Sequence, residues 1–544
     1  MRHILYRPVP CHHGLLDSPL SVARRLHHSA LRAAAVTVSL AFAVAAPLSQ
    51  SAGTPDTPDP AIVAQLQDEG LQRSQVMDTI SFLTDVYGAR LTNSPQYRAA
   101  ADWAVGRMRD WQLSNVHTES FPFGRGWSND RFVARVVTPA PWSITGFPKA
   151  WTPGVGPITA DVVRVSLDTD QDFALWTGKL RNKIALIEPA RPVTAFFEPP
   201  GTRRTEQELA DLEAQAPLAP SGPRPFNSAP GEFARRRTQF LVREGVAAVF
   251  EAGSGRGDHG AVMVMGPIAG GSADAPPTVP QLVLAAEHYG RLVRMVERRV
   301  PVAVHLDVEN RFHADRLDAQ SILAEIPGTD RKDELVMLGA HFDSWHAGTG
   351  ATDNAAGSAV VMEAMRILRA TRVPLRRTVR VALWAGEEQG LMGSTAYVAA
   401  QFAERGSMEL KPGHAKLSVY FNHDNGAGAI RGVYLQGNDA VRPILRQWMT
   451  PFEGWGVKTT TIRPTGDTDH APFDAVGLPA FQFIQDRLEY FSNSHHSSMD
   501  LYERIQPDDV KRNAVLLATF AYMAANRDEL LPRKRLPAAR EAAR

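Results

Sequence analysis

The sequence has little cysteine, little net charge and few long apolar runs. Cys11 is its one cysteine among 544 residues, so a fold held together by disulfide bonds is excluded. The 59 lysine and arginine residues are balanced by 58 aspartate and glutamate residues, and this balance argues against a nucleic-acid partner. The motifs Gly-x-Ser-x-Gly, His-Glu-x-x-His and Cys-x-x-Cys are also absent, which excludes the catalytic centres that they mark.

One apolar run, residues 33–46, follows a basic segment that includes Arg24, Arg25 and Arg32. It is too short to span a bilayer, which takes about 20 residues. Its basic flank and small residues predict a secretory signal peptide, with residues 1–52 as signal peptide and leader; an uncleaved membrane anchor is the alternative. The leader is long, so the true start and the cleavage site stay open. We expect an exported protein, periplasmic or secreted, without stable membrane association after cleavage.

The predicted secondary structure of the remaining chain changes along its length. The chain is also too long for one ordinary domain. Residues 53–130 are mainly helical in pattern, and residues 131–310 consist of short β-like runs broken by Gly and Pro. Residues 311–530 alternate strand, loop and helix, whereas 531–544 lack a packing pattern and are predicted to be a disordered tail. We therefore predict an α/β fold with a mostly parallel, twisted sheet, helices on both faces and an inserted β-rich domain.

Acidic and histidine side chains follow the predicted strands of the C-terminal half. The strand at 334–340 leads into His341 and Asp343, and a Gly-rich turn then carries Asp353 to the start of a helix. Similar clusters follow other strands, at Glu387-Glu388, at His423-Asp424 and at His495-His496 with Asp500. Open α/β sheets bind ligands at the carboxyl ends of their strands. Mixed carboxylates and imidazoles at this edge indicate a divalent metal, most naturally zinc.

These clusters carry a resemblance to a known family. The stretches GAHFDSWHAGTGATDNAAG, RVALWAGEEQG, GDTDHAPFDAVGLPAF and HHSSMD resemble the M28 family of zinc peptidases, and within it the carboxypeptidase Q type. The resemblance is tight over residues 321–526 and looser in the middle of the chain. There GKLRNKIALIE, EGVAAVF and VPQLVLAAEHYGRLV resemble a protease-associated (PA) domain.

The resemblance implies two zinc ions per chain and five protein ligands. In this set Asp353 would bridge both ions, because one carboxylate can hold two cations about 3.5–4 Å apart. His341 and Asp424 would complete one ion's protein ligands, and Glu388 with His496 would complete the other's. Both His495 and His496 are candidates from position alone, but the family's His-x-x-x-Asp spacing selects His496.

Two further roles follow from the same resemblance. Glu387 would be the general base that activates water at the metals. Asp343 would orient His341, as a carboxylate beside a ligating histidine commonly does. The peptide bond Asp353–Asn354 is expected to be cis.

Two positions depart from the family pattern. Some members place a tyrosine before the (Ser/Thr)-Asp-His stretch to bind the oxyanion, whereas this chain has Thr465; His470 or the metals alone are the alternatives. An enlarged insert at 192–237 has no functional account from the sequence.

The resulting prediction is an exported dizinc exopeptidase that hydrolyses dipeptides or short peptides, with a small peptide as partner and a homodimer as a possible assembly. The carboxypeptidase Q type implies substrates with both termini free, and Arg487 is either a carboxylate-binding residue or a surface arginine. The alternatives are an aminopeptidase acting on longer peptides and an inactive binding protein on the same scaffold. A single-zinc, glutaminyl cyclase-like transferase is disfavoured by the PA-like insert.

Overall fold

The computed structural model describes residues 56–217, 231–253, 258–267, 271–272 and 274–539. The predicted signal peptide and part of the 192–237 insert lie outside these ranges. Within them, no helix is long and apolar enough to cross a membrane.

Three α-helices of the described residues begin at a proline, which suits the first turn because proline lacks a backbone N–H. The described residues form twelve α-helices in all. They are α1 (Pro60–Gln72), α2 (Val76–Ser81), α3 (Pro95–Asp110), α4 (Asp170–Trp176), α5 (Glu206–Ala214), α6 (Glu232–Glu244), α7 (Ala286–Glu297), α8 (Ala356–Thr371), α9 (Met392–Gln401), α10 (Arg442–Met449), α11 (His470–Ala475) and α12 (Pro507–Asn526).

The strands are β1 (Ser114–Pro122), β2 (Gly126–Thr138), β3 (Trp142–Ser143), β4 (Gly146–Pro148), β5 (Val155–Arg164), β6 (Ile184–Leu186), β7 (Ala248–Glu251), β8 (Gln281–Leu284), β9 (Ala303–His313), β10 (Asp318–Ile326), β11 (Arg331–His341), β12 (Arg377–Trp384), β13 (Ala403–Glu404), β14 (Glu409–Leu410), β15 (Leu417–Asn422), β16 (Ile430–Tyr434), β17 (Thr459–Thr461) and β18 (Ala480–Gln485).

The first sheet has the strand order β1-β10-β12-β11-β15-β18-β16-β17. Its central strands β12, β11, β15 and β18 run parallel, while β1, β10 and β16 pair antiparallel with their inner neighbours. The predicted α/β class is confirmed: four of the seven neighbouring strand pairs, including β16–β17, are parallel, and antiparallel pairs lie towards the edges, as at β1–β10. The reason is that helical crossovers, which parallel pairing requires, connect the central strands and not the edge pair β1–β10.

Helices cover both faces of this sheet, as its residue pattern predicts. On β11, Val336 and Leu338 pack into the cluster that contains α1, α8 and α12, and Met337 points into a cluster with Tyr397 of α9 and Phe473 of α11. A strand buried on both faces must be apolar without alternation, which explains the continuous apolar run of β11.

The inserted domain, residues 126–313, lies between β1 and β10 in the chain. Its strands form a second sheet in the order β3-β2-β9-β5-β6-β7-β8-β4, with its own core around Phe250, Leu282 and Leu306. Because β1 and β10 are antiparallel neighbours, the chain leaves and re-enters the first sheet at the same end. This explains how a whole domain is accommodated there. That it is a PA domain stays a prediction.

Two segments differ from a simple surface loop or tail. Part of the 192–237 insert reaches the first sheet, where α5 packs beside β17 and the Thr460 hydroxyl donates to Glu213 Oε1 at 3.2 Å. Residues 531–539 are not the disordered tail predicted for 531–544. Leu531 is buried, and Arg533 donates to the carbonyl of Leu417 at 2.7 Å. Part of this packing depends on charged side chains that donate hydrogen bonds to backbone carbonyls. Such contacts produce no apolar periodicity in the sequence, so the sequence did not indicate them.

Candidate metal centre

The predicted ligands converge at the carboxyl edge of the parallel strands. His341 ends β11, Asp424 follows β15, and Glu388 follows β12. Asp353 precedes α8, and the Asp353–Asn354 peptide bond is cis as predicted. Each of these side chains is almost completely buried.

The distances show how closely these side chains approach one another. His341 Nε2 lies 3.1 Å from Asp353 Oδ1 and 3.3 Å from Asp424 Oδ1. On the other side of Asp353, His496 Nε2 lies 3.2 Å from its Oδ2 and 2.9 Å from Glu388 Oε2. Asp353 is therefore the residue shared by two ligand pairs, which is the arrangement that a bridging carboxylate requires.

The donor set fits divalent zinc. Ligand atoms of His341, Asp353 and Glu388 all lie within 4.8 Å of one another, and imidazole with carboxylate is a zinc ligand chemistry. Asp353 Oδ2, Glu388 Oε1 and His496 Nδ1 are buried, and no described residue makes a hydrogen bond of regular geometry to them. A buried polar atom without a partner is costly, and for the two carboxylate oxygens a bound cation would remove that cost.

The electrostatics of the site reflect several carboxylates gathered in one buried place. Burial raises the pKa of Glu387 well above its usual range, and Asp424 adds to the rise while His341 opposes it. Burial alone would lower the pKa of His496, but Glu388 and Asp353 raise it to about 10. Several carboxylates thus share one buried place, and a divalent cation would balance their negative charge.

His495 and His496 both lie near Asp353, with their rings stacked at a centroid distance of 3.7 Å. His495 Nε2 is 3.9 Å from Asp353 Oδ2, against 3.2 Å for His496. His496 in addition approaches Glu388. The geometry therefore favours His496 over its neighbour, in agreement with the spacing in the sequence.

Alanine at these two positions should separate their roles. The His496→Ala variant should lose zinc, because it removes one ligand of the pair with Glu388. The His495→Ala variant should retain the wild-type zinc content and perturb only the loop. Zinc analysis of the purified, folded variants measures this, and loss of zinc in the His495 variant alone would reverse the assignment.

Asp343 differs in part from its predicted role. His341 Nδ1 lies 2.9 Å from the backbone carbonyl of Asp343, while the carboxylate is farther away at 3.7 Å. The Asp343 carboxylate instead accepts hydrogen bonds from the backbone N–H groups of Glu387 and Glu388, each at 3.3 Å, and from the Thr92 hydroxyl at 2.7 Å. Asp343 thus positions the Glu-Glu pair as well as the histidine.

Arg90 is a buried cation that the sequence analysis missed. Its guanidinium donates to backbone carbonyls of Leu83 at 2.9 Å, Phe342 at 2.8 Å, Thr349 at 2.8 Å and Gly350 at 3.0 Å. It therefore holds the turn between β11 and Asp353. The sequence offers no local signal for this role, because three of these four acceptors lie more than 250 positions away in the chain.

Replacing Arg90 with alanine should lower the free energy of unfolding by at least about 3 kcal/mol, because several buried carbonyls lose their donor. Denaturant unfolding of the full chain measures this. Arg73→Ala is the control: its half-exposed side chain pairs with Asp68 and Glu69 in contact with solvent, so its loss should change the free energy of unfolding far less. A similar loss in both variants would contradict the role given to Arg90.

Three residues of the same edge have roles that the sequence left open or missed. The Tyr490 side chain is buried and interacts with Asp353, and burial raises the pKa of its hydroxyl well above the usual range. Thr465 donates from its backbone N–H to Gln436 Oε1 at 3.2 Å, and His470 Nε2 lies 3.0 Å from the Thr465 carbonyl. Tyr490 is thus a buried hydroxyl that interacts with a predicted ligand, while the contacts given for Thr465 are made by its backbone.

Arg487 lines a cavity of about 290 Å³ together with Thr352 and Tyr490. Its guanidinium lies 3.6 Å from Glu208 and its side chain is half exposed. The structure therefore places it beside the site, with one carboxylate partner, and its binding of a substrate carboxylate stays a prediction.

Known proteins resemble parts of this chain in sequence and share its architecture. Residues 321–521 match the profile described as Peptidase family M28. Carboxypeptidase Q of Mus musculus is 29% identical over 261 residues, which is 48% of this chain and 53% of that protein. The chain thus spans about half the length of this relative.

Two solved structures share the fold. A peptidase M28 precursor from Shewanella amazonensis superposes with a TM-score of 0.63 at 23% identity, over 88% of this chain and 98% of that one. A zinc aminopeptidase from Bacillus subtilis has a TM-score of 0.53 at 18% identity, over 85% of this chain and 98% of that one. At such identities the likeness shows the fold alone. Residues 321–521 thus match peptidase family M28 in sequence, and the chain shares the fold of these two peptidases.

Proposed function

We propose that this protein is a zinc-dependent exopeptidase that uses two zinc ions to hydrolyse dipeptides or short peptides. The observation that carries the proposal is the position of Asp353 between two ligand pairs, His341 with Asp424 and Glu388 with His496, at the carboxyl edge of an M28 domain. The relatives named carboxypeptidase Q and zinc aminopeptidase support the same chemistry.

Zinc bound by these residues would supply Lewis acidity, which polarises a carbonyl and lowers the pKa of water. Glu387 is buried beside the ligands and would act as general base and then as general acid. As the water oxygen bonds to the carbonyl carbon, its proton passes to the Glu387 carboxylate. When the carbon–nitrogen bond breaks, Glu387 returns that proton to the leaving amine. Its raised pKa, which burial causes, suits a group that must hold a proton between these steps.

The buried neighbours of Glu387 keep its backbone in place. Hydrogen bonds from its own N–H and that of Glu388 to the Asp343 carboxylate fix the turn after β12. The turn directs two successive glutamates to different tasks, since one can ligate zinc while the other faces the reacting water. The N-terminal run at 33–46 further supports export of the enzyme.

A comparison of related substrates tests the substrate class. If both ends of a dipeptide are bound, N-acetylation and C-terminal amidation should each lower kcat/KM roughly ten- to hundredfold, because a buried polar group loses its partner. The assay compares one dipeptide, its N-acetyl form, its amide and a pentapeptide extended at the C-terminus. Equal cleavage of the amide, the pentapeptide and the dipeptide would replace the dipeptidase proposal with an aminopeptidase acting on longer peptides.

A further inference from the structure

We propose that the inserted domain is a clamp on the His496 loop, residues 486–500, and holds the backbone of His496 in the conformation that can bind metal. The proposal rests on the proposed function, because His496 needs positioning only if it ligates zinc. It assigns a role in the metal centre to a domain that contributes none of the predicted ligands.

The first contact of the clamp pairs backbone with backbone. Val264 N–H, in the inserted domain, donates to the His496 carbonyl at 3.2 Å, and Ser498 N–H donates to the Val262 carbonyl at 2.9 Å. Val262 N–H in turn donates to Ser498 Oγ at 3.0 Å. Val262 and Val264 are themselves buried against Val283 of β8. The segment that holds His496 is therefore anchored in the body of the inserted domain.

The second contact lies at the other end of the loop. Thr202 and Leu488 exchange both backbone hydrogen bonds, at 3.1 and 2.8 Å. The Ser492 hydroxyl donates to the Pro200 carbonyl at 2.5 Å, and Arg204 N–H donates to Asp486 Oδ1 at 2.9 Å. This contact uses the start of the 192–237 insert, for which the sequence gave no account. The inserted domain thus holds the loop on both sides of Tyr490.

A third contact acts on the side chain of His496. Trp345 lies between the two domains, with its ring centroid 6.2 Å from that of Trp151 in the inserted domain and 6.2 Å from that of His496. Both contacts are edge-on, and both tryptophans are almost fully buried. Bulky rings packed in this way leave the imidazole little freedom to rotate.

The backbone of His496 explains why such support is needed. Its φ angle is +57°, in the left-handed region that a residue with a side chain rarely adopts. A residue in this region keeps its conformation only when its surroundings determine it. The M28 domain holds the end of the loop, where Asp500 accepts from the Thr352 hydroxyl at 2.7 Å, and the inserted domain supplies the partners of the His496 carbonyl and the Ser498 N–H.

Proline substitution tests the first contact. Val264→Pro removes the N–H that donates to His496, whereas the control Val264→Ala keeps it and removes the apolar side chain. We expect zinc to bind the metal-free, folded full-length proline variant about 10–100-fold more weakly than the alanine variant, the range found when groups supporting a ligand are lost. Competition with a chelator measures this affinity. Equal affinities in the two variants would overturn the proposal.

A second pair covers the case in which Val264→Pro does not fold. Thr202 is exposed. We therefore expect both Thr202→Pro and its control Thr202→Ala to fold. Amide hydrogen exchange across residues 488–498 should be at least tenfold faster in the proline variant. Unchanged exchange would also overturn the clamp. A wild-type chain that binds no zinc would contradict both the proposed function and the clamp. If the wild-type chain binds zinc and hydrolyses peptides but each proline variant behaves like its alanine control, only the clamp is overturned.

Discussion

Replacing Glu387 with glutamine should lower kcat by about 10²–10⁴-fold, the range that general acid–base catalysis contributes. Glutamine has nearly the same shape but cannot accept a proton from water. Because the assigned ligands are untouched, the variant should keep its zinc and its fold. Steady-state kinetics and zinc analysis on the same preparation measure both quantities.

The neighbouring position provides the contrast. Glu388→Ala should lose zinc, because Glu388 Oε2 is 2.9 Å from His496 Nε2 and belongs to that ligand pair. Glu404→Gln, at an exposed position, is the control and should match the wild type. The two roles are wrong if Glu387→Gln empties the site while Glu388→Ala remains fully loaded.

Removal of zinc should abolish hydrolysis, and its return should restore activity at two zinc ions per chain. The reason is that Asp353 lies between two ligand pairs, so each pair can complete a separate ion. Asp353→Ala should therefore bind neither ion normally, and its zinc content should fall further than that of His496→Ala. Metal analysis after dialysis against a chelator and titration with zinc measures the stoichiometry.

The control for this prediction is Asp439→Ala. Asp439 forms an exposed ion pair with Arg442 of α10, so its loss should change neither zinc content nor activity. A fully active wild-type protein with a single zinc ion per chain would contradict the two-metal proposal.

The C-terminal half of the protein could be predicted well because its signals are local. The strand pattern predicted β11 to within a few residues, since a buried parallel strand must be continuously apolar. The strand-end positions of Asp424 and Glu388 follow from the same alternation of strands and helices. That these two side chains lie close together can be predicted from one rule, because parallel strands have their carboxyl ends at the same edge of the sheet.

Other features depend on partners that are distant in the chain. Arg90 binds carbonyls more than 250 positions away, and Asp343 uses its backbone carbonyl for His341 and its carboxylate for the turn after β12. Periodicity and motif spacing carry no information about such contacts. The packing of residues 531–539 escaped prediction for the same reason.

The sequence by itself determined the α/β class and the strand ends that carry acidic and histidine side chains, whereas the choice of five candidate ligands among them came from the resemblance to the M28 family. The class and the strand ends depend on residue type and on local order along the chain. Only the tertiary structure showed that Tyr490 interacts with Asp353 and that the inserted domain contacts the His496 loop at two places. The contacts between the inserted domain and the loop join backbone groups that lie more than 200 residues apart in the chain. Because every residue carries the same N–H and C=O groups, no side-chain pattern distinguishes the ones that meet.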